Sequence, residues 1–294
     1  GVQTCALPIS RRGGLERGDD ALGYDGDLSR SVRYVSYSLN QESFRFMMDP
    51  MLATGGERIS AMGYGNAIHA LADQEGGMAK YFSQRFAQVT NPPLDSIREA
   101  DGMTFRVALG AKPDGGANAS RQLVVQSPIL SQLDMLRLRE QTLTPLERFD
   151  LLYTPVVGDA EANAASMVAD LDVLADAVVA FARAQGGIAV VSDRGVGSDR
   201  APLPLLLALA TINQRLIEAG VRLRVSVIAE SGQLPSSHHI ASALGFGASA
   251  VYSLSARLRA EEQFPSPAGP AGEGTDTDRA FDRFRKAALK SLGK

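Results

Sequence analysis

The 294-residue chain is 45% hydrophobic and 21% charged, enough apolar mass for one large or two ordinary domains with a sizeable core. A formal net charge of -3 argues against a basic nucleic-acid binder, and no apolar run approaches the roughly 20 residues needed to span a bilayer. The single cysteine, Cys5, excludes an internal disulfide framework or a cysteine-ligated iron–sulfur cluster built from these residues alone, and fits a reducing, cytoplasmic setting.

Residues 1–27 combine Arg11-Arg12-Gly13-Gly14 with a Gly/Asp-rich stretch. They lack the charged n-region and continuous apolar run of a signal peptide. They are expected to be disordered or non-native, and Cys5 carries no functional weight. Residues 28–148 read as a mixed, mainly helical part. Phe44, Met47, Met48 and Met51 recur at helical spacing over Ser43 to Leu52, and Gly55-Gly56 ends the pattern. Ala79 to Ala87 is a helix whose Tyr81, Phe82, Arg85 and Phe86 make a packing face in preference to a cofactor box. Asn91 before Pro92 is extended, and Pro92-Pro93 opens a further helix through Leu94, Ile97 and Arg98. Met103 to Leu109 and Gln122 to Gln126 are extended pieces.

Residues 149–294 are more regular. Strands are expected at Asp150 to Val157, Ile188 to Val191, Leu223 to Ala229 and Ala248 to Tyr252. Helices are expected at Asn163 to Gln185, Leu203 to Ala219 and Ser237 to Leu244, stopped by Gly186-Gly187, Gly220 and Gly245. Ala256 to Pro270 reads as a Pro/Gly/Ser-rich connection, and Asp278 to Leu292 as a closing helix. The alternation predicts an α/β fold of parallel βα units. It resembles a degenerate or partial (β/α)8 barrel, with a doubly wound sheet open as an alternative.

Several residues are candidates for chemistry. Asp193, Arg194, Glu230 and Ser231 follow two strands, where a working barrel holds its reactive groups. A free-standing barrel enzyme would use them together with His238. Local capping and pairing of Asp193 and Arg194 is the simpler account. His238-His239 point about 100° apart on a helix, so one ion rarely takes both, and no HExxH spacing surrounds them. Gly245-Phe246-Gly247 precedes a strand, whereas a dinucleotide loop follows one. Thr90-Asn91 supplies neutral donors and acceptors suited to a polar conduit, although the residue types alone favour a helix stop and turn.

The run Tyr81-Phe82-Ser83-Gln84-Arg85-Phe86-Ala87-Gln88-Val89-Thr90-Asn91-Pro92-Pro93-Leu94-Asp95-Ser96-Ile97-Arg98-Glu99 resembles the central region of the glutamate synthase large chain. Further agreement lies in Val190 to Gly195 with Ala201 to Pro204, in Val225 to Gly232, and in His238 to Ala241 followed by Leu244 to Val251. Ala288 to Lys294 is similar to the linker into the family's flavin barrel. Thus residues 28–294 resemble that central domain, caught between a glutamine amidotransferase domain and an FMN-binding domain.

The resemblance implies a connecting role in an enzyme that makes L-glutamate from glutamine and 2-oxoglutarate. Ammonia freed at one site travels by an internal channel to a site carrying FMN and an iron–sulfur cluster. Thr90 and Asn91 are, by resemblance, channel candidates. The implied partners are the two flanking domains and a reductase small subunit or ferredoxin, without nucleic acid or membrane. The family's catalytic cysteine, flavin site and cluster cysteines do not fall within these residues, so no catalytic, cofactor or metal residue is expected here. One departure stands out. The family's SMGxDTPLA appears as Ser60 to Ile68 without Asp-Thr-Pro.

Overall fold

The computed structural model describes residues 6–8, 28–58, 78–82, 95, 97–98, 102–113, 122–266 and 275–293. Its core is a four-stranded parallel sheet of β4 (Leu146–Asp150), β6 (Gly187–Ser192), β8 (Val225–Ser231) and β9 (Ala250–Ser253), in that spatial order. Chain order and spatial order coincide with no reversal. That is the winding of a barrel segment and differs from a doubly wound sheet, whose order reverses at a switch point.

Each crossover is helical, as buried parallel strands require. Helix α4 (Ala160–Ala184) starts where the Asp159 carboxylate accepts from Ala162 N–H, and it buries Leu171, Leu174, Val178 and Phe181 against the sheet. Its stop is Gly186 at φ 71, as the sequence predicts. Helix α5 (Leu205–Glu218) buries Leu205, Leu209, Ile212 and Leu216, and α6 (Ser237–Gly245) buries Ile240 and Ala243. Every residue of β6 and β8 is buried, so these two strands form the centre of the core.

Both ends of the sheet are covered. At the amino end, β2 (Val107–Leu109) and β1 (Ala6–Pro8) flank β3 (Gln122–Val125) in a second small sheet. Ser226 Oγ accepts from Gly110 N–H at 3.0 Å and donates to the Gly110 carbonyl at 3.1 Å, tying this sheet to the start of β8. Strand β1 lies inside the segment expected to be disordered or non-native.

At the carboxyl end lie α1 (Arg30–Ser36), the π-helical turn Ser43–Met48 and α2 (Asp49–Thr54), which Gly55 ends in the left-handed region. Arg259 grips both Asp49 carboxylate oxygens at 2.8 and 2.9 Å, and Arg283 Nε donates to the Leu52 carbonyl at 2.6 Å. Residues 28–58 are therefore packed onto the βα part.

Four expectations change. Asp150 to Val157 is not one strand. The sheet strand is β4, and β5 (Leu152–Tyr153) pairs antiparallel with β7 (Ala201–Pro202) across the sheet's end. As an edge strand β4 carries exposed Glu147, Arg148 and Asp150, which hides its period in the sequence. Ala256 to Pro270 is not simply a connection. It begins inside α7 (Leu254–Gln263), where Ser253 Oγ accepts from Ala256 N–H and Arg257 pairs with Glu261 one turn on. The helix at Ser43 to Leu52 is π-helical in its first half. Gly245 stays helical, and Gly247 takes the positive φ of 112. Helix α3 (Gln132–Glu140), with a Ser131/Asp134 capping box, and α8 (Asp276–Leu292), capped by Thr275, complete the shell.

Gly187 fixes the join of α4 to β6. Its φ is 121, and an added Cβ would stand 2.3 Å from the Pro145 carbonyl oxygen. Gly187→Ala is therefore expected to lose at least about 2 kcal/mol of stability in urea unfolding; an unchanged midpoint would show that the β4–β6 junction is not tightly held.

Candidate functional site

The carboxyl ends of β6 and β8 bring Ser192, Asp193, Arg194, Glu230 and Ser231 together. The register sets this directly, because Ser192 stands opposite Glu230 in the parallel ladder. All five are buried, and Asp193 and Glu230 have no exposed surface. A carboxylate so far from water needs partners, and each oxygen has them. Glu230 Oε1 accepts from Arg194 Nη2 at 2.6 Å and lies 3.6 Å from Arg139 Nη2. Glu230 Oε2 accepts from Ser192 Oγ at 2.6 Å. Asp193 Oδ1 accepts from Gly232 N–H at 2.9 Å, and Oδ2 accepts from Ser231 Oγ at 2.5 Å and from Gln233 Nε2 at 3.3 Å.

The two acids answer burial differently. Burial drives both carboxyls up. Around Glu230 the Arg194 and Arg139 guanidinium groups and the Ser192 hydroxyl overcome it, and the group is held below its usual range. Asp193 is held by hydrogen bonds from two neutral side chains and one backbone amide. Burial prevails over the bonds from Ser231, Gly232 and Gln233, the neighbouring Glu230 charge adds to it, and the carboxyl is pushed up to about 6.

Tyr37 closes this cluster from above. It follows α1, is 3% exposed, and donates its hydroxyl to the Asp193 carbonyl oxygen at 3.0 Å. Its ring lies so close over Gly232 that an added Cβ there would meet ring carbons at 2.2 Å. No larger residue fits at position 232 without moving Tyr37. The next residue, Ser38, takes a left-handed φ of 58, which turns the chain out again. Burial pushes the Tyr37 phenol up, and the Asp193 charge adds to it. It stays a neutral donor.

Of the residues singled out from the sequence, Asp193, Arg194, Glu230 and Ser231 thus converge. His238 does not join them, because its Nε2 lies 2.7 Å from the Ala79 carbonyl oxygen. His239 Nδ1 lies 2.8 Å from Ser236 Oγ. Thr90 and Asn91 lie outside the described residues. Among the described residues no group of three or more His, Cys, Asp or Glu could hold a metal ion, and no helix is long and apolar enough to cross a membrane. Sequence reasoning missed Tyr37, Gln233 and Arg139. Gln233 is the local one. Two residues past Ser231, its side chain also donates to the Leu203 carbonyl at 2.9 Å and accepts from Leu205 N–H at 3.0 Å, tying β8 to the start of α5.

The chemistry available here is internal pairing. Every carboxylate oxygen is committed, and the acids present no surface to a reactant.

Comparison with known proteins places the chain. Residues 32–294 match the family model described as the glutamate synthase central domain. A ferredoxin-dependent glutamate synthase from Cyanidium caldarium is 32% identical over 74% of this chain. The glutamate synthase [NADPH] large chain of Bacillus subtilis is 29% identical over 75%, and the glutamate synthase [NADH] of Schizosaccharomyces pombe is 32% identical over 77%. The chain spans 14%, 14% and 11% of the lengths of these three relatives. Among solved structures, a flavocytochrome b2 variant with sulfite bound covers 56% of this chain and 35% of its own, at 16% identity and a TM-score of 0.34.

The opposed behaviour of the two acids gives a pH signature. The folded state binds the Asp193 proton more tightly than the unfolded chain, whose value is near 3.8, so from about pH 4 to 6 this group makes stability fall as pH rises. The Glu230 contribution is present above its unfolded value of 4.5 and is lost as pH falls through the lower folded value. Asp193→Asn is expected to remove the decline between pH 4 and 6 in urea midpoints. Glu230→Gln leaves the Arg194 charge buried without its counter-ion and is expected to cost about 3–5 kcal/mol at pH 7. A wild-type profile flat across pH 4 to 6 would contradict the assignment of Asp193.

Proposed function

The chain belongs to the glutamate synthase central-domain family, and on that premise we propose that it is the connecting domain of a glutamate synthase large chain. It holds a glutamine amidotransferase domain and an FMN-binding domain of the same polypeptide in register. Ammonia released from glutamine is thereby coupled to reductive synthesis of L-glutamate from 2-oxoglutarate, and Thr90 and Asn91 line its path. The domain performs no reaction itself. Electrons reach the parent enzyme from a reductase small subunit or ferredoxin, and the whole works in the cytoplasm.

The observation that carries the scaffold role is the closed cluster under Tyr37. At the end of the sheet where a barrel enzyme exposes its reactive groups, Glu230, Asp193, Arg194 and Ser231 are spent on one another and shielded from solvent. The same packing, together with the separate position of His238, favours a scaffold over a free-standing barrel enzyme built on these residues.

The parent's resident groups do not fit here. An iron–sulfur cluster needs several thiolates, and the chain has one cysteine. Flavin phosphate needs free donors at the strand ends, where Gly232 N–H is bonded to Asp193 and covered by the Tyr37 ring. Neither group is assigned to this domain.

Two measurements check the proposal. The genomic flanks are expected to encode a glutaminase-like frame upstream and a flavin barrel downstream; their absence ends it. The purified chain is expected to be colourless, and stoichiometric FMN absorbance would refute the scaffold role.

A further inference from the structure

Beside the closed cluster, and separate from it, a cavity of about 600 Å³ opens between the carboxyl end of the sheet and residues 35–47. Tyr37 and Gln233 stand between the two. Both line the cavity, and both bond to Asp193 on their other side. The site lies over the start of α5, beyond the carboxyl ends of parallel strands, where α/β folds take their ligands.

Three features of the lining go together. The first is backbone strain. Ser38, with its left-handed φ of 58, and the π-helical turn Ser43–Met48 both face the cavity. Such outliers persist where surrounding structure holds them, and they concentrate at binding sites. The second is the wall. Phe46, Met47, Met78, Tyr153 and Met167 supply flat and polarisable apolar surface, and Phe46 and Met78 remain 45% and 39% exposed. Thioether and aromatic groups of this kind suit a planar ring.

The third feature is charge. Among the described lining residues there is no arginine or lysine to hold a phosphate or carboxylate. Among the described lining residues Glu42 is the one carboxylate and His239 the one imidazole, its Nδ1 2.8 Å from Ser236 Oγ, and the nearby Arg45 and Arg58 guanidinium groups sit against the Phe46 ring at 5.4 and 5.3 Å. Uncharged polar contacts come from Asn40, Ser43 and Gln233.

We infer that this cavity is a binding site for a small, planar, uncharged aromatic molecule, stacked on the Phe46 and methionine wall and hydrogen-bonded at its edge. Its chemistry differs from that of an amino-acid or dicarboxylate site, which would need fixed cations. It goes beyond the connecting role and does not depend on it.

The chain contains no tryptophan, so indole added to the 294-residue protein fluoresces without background when excited beyond tyrosine absorption. Indole is expected to bind saturably. Indole-3-acetate, with the same ring and a carboxylate beside Glu42, is expected to bind roughly fivefold more weakly. Phe46→Ser with Met78→Ser is expected to weaken indole at least about tenfold while leaving the unfolding midpoint in place, since both side chains are partly exposed. Ala201→Phe, filling the cavity from β7, is expected to do the same. No saturable binding, equal affinity in both variants, or tighter binding of the acid than of indole would each overturn the inference.

Discussion

Glu230 and Asp193 are carboxylates with no exposed surface at the ends of adjoining strands. Taking a charge out of water costs several kcal/mol even after relaxation, so the fold stands only if the protein supplies what water gave up. Arg194, Ser192, Ser231, Gln233 and the Gly232 amide supply it. These donors come from β6, β8 and the turns that follow them. Strand register, turn conformation and the start of α5 are therefore fixed together, because no one of them shifts without leaving a buried oxygen bare.

The same demand explains why the first helices cannot be a loose appendage. Tyr37 shields the cluster from water and bonds to the Asp193 carbonyl, so α1 must sit on the sheet for the cluster to stay dry. Arg259 with Asp49, and Arg283 with the Leu52 carbonyl, hold the following turns in place from α7 and α8. Arg259 also stands over the Phe44 ring at 4.6 Å, and Tyr34 meets Phe44 edge-on at 4.7 Å. Apolar packing and ion pairing act on the same few residues, which makes their docking cooperative.

How much of this was legible in the sequence depended on range. Helix α4 announced itself through a long amphipathic period closed by Gly186-Gly187, and β6 and β8 through short apolar runs ending in Ser-Asp-Arg-Gly and Glu-Ser-Gly. The strand-end acids were visible as candidates for the same reason. Strand β4 was not, since Glu147 and Arg148 blunt an edge and break the alternation. Helix α7 was hidden by the Pro/Gly/Ser run that follows it, although Ser253 and the Arg257–Glu261 spacing were local signals. The Tyr37 contact with Asp193 spans 156 positions, and no pattern around Tyr37 marks it. The resemblance to glutamate synthase was carried both by the run through Thr90 and Asn91, which lie outside the described residues, and by Val190 to Gly195 and Val225 to Gly232, whose strand ends build the cluster.

The mouth of the sheet shows how a barrel-like scaffold gives up one kind of site and keeps room for another. A reactive cluster needs unsatisfied groups facing a cavity, and here the hydrogen bonds that make burial tolerable consume those groups. What remains two-sided is the layer just outside. Tyr37 presents its hydroxyl to Asp193 and its flank to the open space, and Gln233 bonds both Asp193 and the start of α5 while also lining that space. A molecule lodged there touches the charges only through these two side chains. Whatever it does to the fold must act by shifting Tyr37 or Gln233, and the cost of such a shift is the partial baring of Asp193. Asp193 is also the acid whose burial outweighs its hydrogen bonds, whereas the guanidinium groups around Glu230 outweigh burial, so the side chains that separate cavity from cluster are bonded to the residue with the less stabilised of the two charges.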